Sequence, residues 1–307
     1  MKHDVIVVGG SCSGMAAALQ LVRARRSVLV IDAGQRRNRF AGHSHGFLGQ
    51  DGVPPDEIAA NARRQLEAYP TLTWLEGRGE TITGQADEFT VTTADGQSQL
   101  GRRILLATGV ADQLPEVDGL AQRWGKTVFH CPYCHGYELG QGRIGIVGAS
   151  PMSIHQAEML TDWGDVTLLV NGALELNEEI RTTLKRRGVV IEEARIDKIE
   201  GHADVTMVDG RRLSFAGLFV ATRTSPSNPL AETIGCALEE SPMGIQIRTD
   251  SESKTSVPGV FACGDVARFP HSVSLAVGNG AMTGFHIHRS LLWPENILTV
   301  QAEGSAG

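Results

Sequence analysis

The first fifty residues alternate between two periodicities. DVIVVGG (Asp4 to Gly10) and SVLVID (Ser27 to Asp32) are short runs rich in β-branched residues, as in strands buried on both faces. SGMAAALQLVRAR (Ser13 to Arg25), between them, spaces its apolar side chains three and four apart. Strand, helix and strand in that order predict a parallel βαβ unit. EFTVTTADGQSQLGRRILLATG (Glu88 to Gly109) reads as a hairpin turning at Asp95-Gly96, followed by a buried strand that stops at glycine.

The pattern restarts at Arg143. RIGIVGAS is a strand, MSIHQAEMLTDW (Met152 to Trp163) a helix and VTLLV (Val166 to Val170) a strand. DGRRLSFAGLFVATRTSP then repeats the theme of DGQSQLGRRILLATGVAD, so the halves read as internal duplicates. TSVPGVFACGD (Thr255 to Asp265) leads into a glycine-rich helix starting near Leu275, and QAEGSAG reads as a frayed tail. No low-complexity linker separates these parts, and the pattern as a whole predicts an α/β protein.

At 307 residues the chain suits one large or two modest domains, with 41% hydrophobic and 21% charged residues. A formal net charge of -7 argues against a general nucleic-acid or membrane-surface binder. Basic residues do cluster at Arg23, Arg25, Arg26, Arg36, Arg37 and Arg39, either as a solvated helix end and loop or facing a phosphate. The opening MKHDVIVVGG has a short apolar run that glycine stops, and is read as neither a secretory signal nor a membrane span. Five cysteines, of which only Cys131 and Cys134 lie close together, do not make a disulfide framework. A cytoplasmic protein with one functional thiol pair fits them better.

Two motifs point to a dinucleotide. In GGSCSG (Gly9 to Gly14), Gly9 would make the tight turn and Gly14 would let helix pack on strand, with Ser11 where a second motif glycine usually stands. Asp32, ending the next strand, is placed to meet a ribose hydroxyl. FACGDV (Phe261 to Val266) is a strand ending in Gly-Asp before a small-residue helix, whose N-terminal dipole would suit a flavin that gains negative charge on reduction.

VIVVGG…IDAG, RNRFAGHSHGFLGQDG, LLATG, CPYCHG and TSVPGVFACGD occur in the order expected of thioredoxin-reductase-like flavoproteins, and the chain resembles that family over nearly its whole length. The resemblance implies two Rossmann-like dinucleotide-binding domains of the three-layer ββα type. An FAD domain would be built from residues 1–114 and 246–307, with an NAD(P)-type domain carrying the thiol pair inserted at 115–245. It also implies a homodimer and FAD contacts at Gly9, Gly10, Ser11, Gly14, Asp32, Ala33, Gly34 and Asn38. Further contacts follow at His43, Gly46, Leu48, Thr108, Gly109, Gly264, Asp265, Ser272 and Val273. The second nucleotide motif departs from the pattern. GASPMS (Gly148 to Ser153) keeps only the first glycine, no Lys or Arg lies between Val166 and Ile180, and Asn171 stands where an NAD-binding acid would be. NAD or NADP therefore receives little support from these residues.

HCPYCHGYE (His130 to Glu138) carries the chemistry. Zinc would need four ligands, which Cys12, Cys236 and Cys263 do not supply by spacing, so no metal is expected. A redox pair needs one sulfur that exchanges with substrate and one that faces the flavin; by resemblance these are Cys131 and Cys134. Where a reductase of this family has an aspartate after the second cysteine, this chain has His135, an imidazole expected to titrate near neutrality and so to accept a thiol proton. His130 is the alternative base, and either ring could instead be structural. His135 and the altered nicotinamide motif together resemble the flavin-dependent dithiol oxidases of the gliotoxin, holomycin and disulfide-depsipeptide type. The expected reaction is oxidation of a small-molecule dithiol with dioxygen as acceptor, giving hydrogen peroxide. The alternatives are a disulfide reductase fed by NADPH, ferredoxin or another donor, and a redox sensor without turnover.

Overall fold

The computed structural model describes residues 2–294, so the tail QAEGSAG lies outside the described residues. It divides into two compact units: 1–37, 56–111 and 224–307 in the first, 38–55 and 112–223 in the second.

In the first unit the strand Lys2–Val8 lies between Val28–Asp32 and Ser98–Leu106, parallel to both. Leu72–Glu76 and Val260–Ala262 add parallel neighbours, Phe89–Thr93 and Gly79–Thr83 continue antiparallel, and the sheet has seven strands. Alternation along the central strand divides the core. Val5 and Val7 bury against Met15, Leu21 and Ile287 of the helices Cys12–Arg23 and Val273–Leu292. Ile6 and Val8 face the other way, towards Phe89, Leu230 and Ile247. Two glycines of the last helix have a packing reason: a Cβ at Gly280 would lie 2.1 Å from the Ser13 carbonyl oxygen, and one at Gly284 2.8 Å from that of Ala17.

The second unit repeats the plan. Arg143–Val147 lies between Asp165–Leu169 and Gly217–Val220 in a parallel five-stranded sheet, edged by Val190–Glu192 and Val128–Phe129. Its hairpin differs: Ile196–Glu200, Asp204–Met207 and Arg212–Ser214 form a separate three-stranded sheet. In the first unit one nine-residue strand, Ser98–Leu106, pairs with both hairpin and core, whereas here the strand is interrupted between Ser214 and Gly217.

The units do not divide at 114/115 and 245/246. Leu230, Ala231, Cys236 and Ile247 bury against the first sheet, which draws residues 224–245 into the first unit. Residues 38–55 group with the second, where Ser44 bridges Val53 and a Cβ on Gly125 would meet Phe40 at 2.8 Å. The first helix stops at Arg23, short of the expected Arg25, which takes a positive φ of 61°. The helix Pro55–Glu67 and the strands Leu72–Glu76 and Gly79–Thr83 lie outside the elements predicted from the sequence pattern.

Candidate active site

The first nucleotide-type loop is built on two close backbone approaches. Gly9, at a φ of 110°, would place a Cβ 2.2 Å from the Ala107 carbonyl oxygen, and Gly14 would place one 1.9 Å from that of Gly9. No side chain but hydrogen fits either position. Ser11 caps the helix Cys12–Arg23 by its backbone only, and the Gly10 N–H donates to Asp32 Oδ1 at 3.1 Å. A cleft of about 590 Å³ opens beside them, lined by Gly10, Asp32, Ala33, Gly34, Arg36 and Trp74 among others.

The remaining predicted residues of this unit lie at strand and helix ends. The Thr108 and Gly109 carbonyls accept from the Ser227 hydroxyl (2.7 Å) and N–H (3.1 Å). The Gly264 N–H donates to Asn279 Oδ1 at 2.8 Å, and Asp265 Oδ2 accepts from Arg37 Nη1 at 3.4 Å. Ser272 Oγ accepts from the Leu275 N–H and caps the last helix, which begins at Val273. A carboxylate at a strand end, a helix N-terminus behind a glycine turn and an adjoining cleft fit a dinucleotide such as FAD. Asn38, His43, Gly46 and Leu48 fall in the second unit instead.

The second nucleotide-type loop is held differently. Ser153, fully buried, accepts through Oγ from the Ala149 N–H at 3.1 Å and the Ser150 N–H at 3.4 Å. Asn171, in a left-handed conformation at φ 54°, spends its Oδ1 on the Ile196 N–H.

The thiol pair begins at the N-terminus of a one-turn helix, Pro132–His135, with Cys131 at the cap and Pro132 pre-set for the first turn. The two Sγ atoms lie 2.6 Å apart. Burial raises the thiols of Cys12 and Cys236 and pushes Cys263 up to about 12, so these three are poor nucleophiles at neutral pH. Tyr133, between the paired cysteines, is 73% exposed and meets Trp163 edge-on at 5.3 Å.

The two flanking histidines differ. His135 stacks on Phe129 with ring centroids 4.3 Å apart, and burial lowers it to about 4, against an opposing pull from Glu138. The expectation that it titrates near neutrality is thereby corrected: the ring is neutral and a weak base at pH 7. Glu138 Oε1 lies 3.5 Å from His45 Nε2, and His45 Nδ1 lies 3.5 Å from Asp51 Oδ1. His130 is held at two points. Its carbonyl accepts from Gln156 Nε2 at 2.8 Å, and its Nδ1 lies 3.3 Å from Thr222 Oγ1, which donates to Asp112 Oδ1 at 2.8 Å. Sequence reading missed Gln156, Thr222, Asp112 and Glu138. The one available signal is the internal repeat, in which LFVAT places Thr222 where ILLAT places Thr108.

The model of the pyridine nucleotide-disulphide oxidoreductase family matches residues 3–280. Thioredoxin reductase tcpT of Claviceps purpurea is 32% identical over 297 residues, covering 92% of each chain. Thioredoxin reductase aclD of Aspergillus oryzae is 30% identical over 308 residues, covering 95% of this chain and 97% of the relative. Among solved structures, the oxidoreductase from Agrobacterium tumefaciens superposes with a TM-score of 0.93 at 55% identity, covering 96% of this chain and all of that one (100%). HlmI superposes with a TM-score of 0.88 at 34% identity, covering 95% and 93%.

Fold and thiol pair thus define a flavin-dependent disulfide oxidoreductase, acting on sulfur groups. The chain belongs to the pyridine nucleotide-disulphide oxidoreductase family. Thioredoxin-reductase-like members of it bind FAD, with NADPH as the usual partner, which bears out FAD as the expected cofactor. No helix among the described residues is long and apolar enough to cross a membrane.

Proposed function

We propose that this chain is a dithiol oxidase, which closes a disulfide in a small-molecule dithiol and passes the electrons through Cys131 and Cys134 to FAD and then dioxygen. The observation that carries this reading is the pairing of the Ala149 and Ser150 amides with Ser153 Oγ. Amides already satisfied within the loop are poorly placed to hold a second pyrophosphate. With no Lys or Arg between Val166 and Ile180, this supports a source of electrons other than NAD(P)H.

The pair starts as the Cys131–Cys134 disulfide. A substrate thiol gives its proton to His130, and the thiolate attacks Cys131 Sγ, breaking the disulfide and leaving Cys134 as thiolate. The second substrate thiol attacks the substrate sulfur of the mixed disulfide, closing the product and releasing Cys131. When bound, FAD supplies the two-electron acceptor for the pair and delivers the electrons to dioxygen as hydrogen peroxide. The two substrate protons leave with the peroxide, so a dithiol and O2 give a disulfide and H2O2. His135 stays neutral and packs the short helix against Phe129. Gly9, Gly10, Ser11, Gly14, Asp32, Gly109 and Asp265 are the residues we assign to FAD.

Leu275, Met282, Phe285 and Leu292 are exposed at intervals that place them on one side of the last helix, which supports a homodimer. Outside the Cys131–Cys134 pair the cysteines are scattered along the chain and build no disulfide framework, which supports a cytoplasmic setting.

The test is anaerobic mixing of the yellow protein with a small dithiol and, separately, with NADPH, following the visible flavin band. Bleaching by dithiol, reversed by air with one peroxide per turnover, is the expected outcome. Rapid bleaching by NADPH would overturn the reading in favour of a reductase.

A further inference from the structure

Resting on that reading, the region behind His130 carries one step more. Thr222 is 2% exposed and its hydroxyl has a single proton. An ionised carboxylate can only accept, so at 2.8 Å from Asp112 Oδ1 that proton lies on the Asp112 side. The Thr222 oxygen is then left as an acceptor towards His130 Nδ1, 3.3 Å away. A neutral imidazole has one N–H, so a proton on Nδ1 leaves the lone pair on Nε2.

We infer that Thr222 and Asp112 are positioning residues, which hold the neutral His130 ring in its Nδ1–H tautomer and make Nε2 the nitrogen that takes up a thiol proton. The transfer balances simply: the S–H bond breaks, the sulfur keeps the electron pair, and Nε2 gains the proton to give an imidazolium. Its Nδ1–H continues to donate to Thr222, and the Asp112 carboxylate behind that hydroxyl favours the new positive charge. Gln156 contributes from the other side, since its bond to the His130 carbonyl fixes the backbone from which the ring projects. All four residues belong to the second unit, and Asp112 and Thr222 stand near the two ends of its longer segment, 112–223. A carboxylate that orients an imidazole through its Nδ1–H is a recurring arrangement in acid–base catalysis; here a buried hydroxyl stands between them.

The experiment uses FAD-loaded protein labelled with nitrogen-15 in its histidine rings, with the His130 signals assigned by their loss in His130→Gln. In the resting protein at pH 8 the Nδ1 signal should be pyrrole-like and the Nε2 signal pyridine-like. Thr222→Val, which keeps the shape and removes the hydroxyl, should lose that bias and slow anaerobic flavin reduction by dithiol about 10- to 100-fold. Thr222→Ser should restore both to within about threefold of the native protein, and FAD content should be equal in all three. Asp112→Asn provides a second variant without a cavity: its amide can donate to Thr222, turn the hydroxyl towards Nδ1 and reverse the tautomer.

A native ring protonated on Nε2, or a native rate in Thr222→Val, would overturn the proposal. The nitrogen spectrum is read in the resting protein, so it supports or overturns the tautomer even if NADPH rather than dithiol proves to bleach the flavin. Failure of the oxidase reading and failure of this one are therefore separable.

Discussion

The two nucleotide-type loops occupy the same place in their sheets and differ most at their sixth residue, Gly14 in GGSCSG against Ser153 in GASPMS. At Gly14 the bare Cα lets helix and strand backbones approach so closely that a Cβ would lie 1.9 Å from the Gly9 carbonyl oxygen. At Ser153 the hydroxyl turns back and accepts from the Ala149 and Ser150 N–H groups. One loop has its helix N-terminus beside a cleft of about 590 Å³; the other has its amides paired within itself. The sheets behind them remain alike, because buried alternating strands are set by apolar side chains that never meet the ligand. A dinucleotide fold can therefore persist after its loop chemistry has changed.

Exchanging features between the loops tests this contrast. Gly14→Ser, which gives the first loop the second loop's residue, should have the largest effect. Overpacking against backbone costs about 3 kcal/mol, so FAD affinity should fall about a hundredfold, read as lost flavin absorbance in purified protein. Full FAD content in that variant would break the comparison. Ser153→Ala comes next. Two buried amides without their acceptor should cost about 1–3 kcal/mol, lowering the melting temperature by about 2–8 °C while FAD content stays native. An unchanged melting temperature would mean that water serves these amides as well as the hydroxyl does. Asn171→Asp should do least. The carboxylate still accepts from the Ile196 N–H, so stability should change by less than about 0.5 kcal/mol, and flavin bleaching by NADH should stay at the native level. NADH-driven bleaching after this single change would show that the loop lacked only an acid.

Much of the fold was legible because its signals are local. The alternation in DVIVVGG and the three-and-four spacing that follows depend on neighbours a few residues apart, and Lys2–Val8 and Cys12–Arg23 lie within two residues of where those signals placed them. The helix Pro55–Glu67 was less plain, since it is strongly polar and its apolar face rests on a few mostly small residues, Ala59, Ala62 and Leu66. Residues 224–245 group with the first unit rather than with the inserted segment, and their short strands and single helical turn carry too few periods to read from sequence. The thiol pair was plain from four contiguous letters. Thr222 was not, because it reaches His130 from 92 residues away.

His135 marks the limit most clearly. Its place after Cys134 can be read from sequence, and so can the fact that it replaces an acid. Its protonation cannot, because the drop to about 4 comes from Phe129 and the surrounding burial rather than from its chain neighbours. The sequence by itself determined the order of most strands and helices, the duplicated plan, the glycine turn of the first loop and the presence of one closely spaced thiol pair. Each of these is a matter of residue type and short spacing. Only the tertiary structure decided which histidine has a hydroxyl and a carboxylate behind it, which is stacked and neutral, and which helix N-terminus has its amides already paired. Those outcomes depend on desolvation and on hydrogen bonds between distant segments, which exist only once the chain has folded.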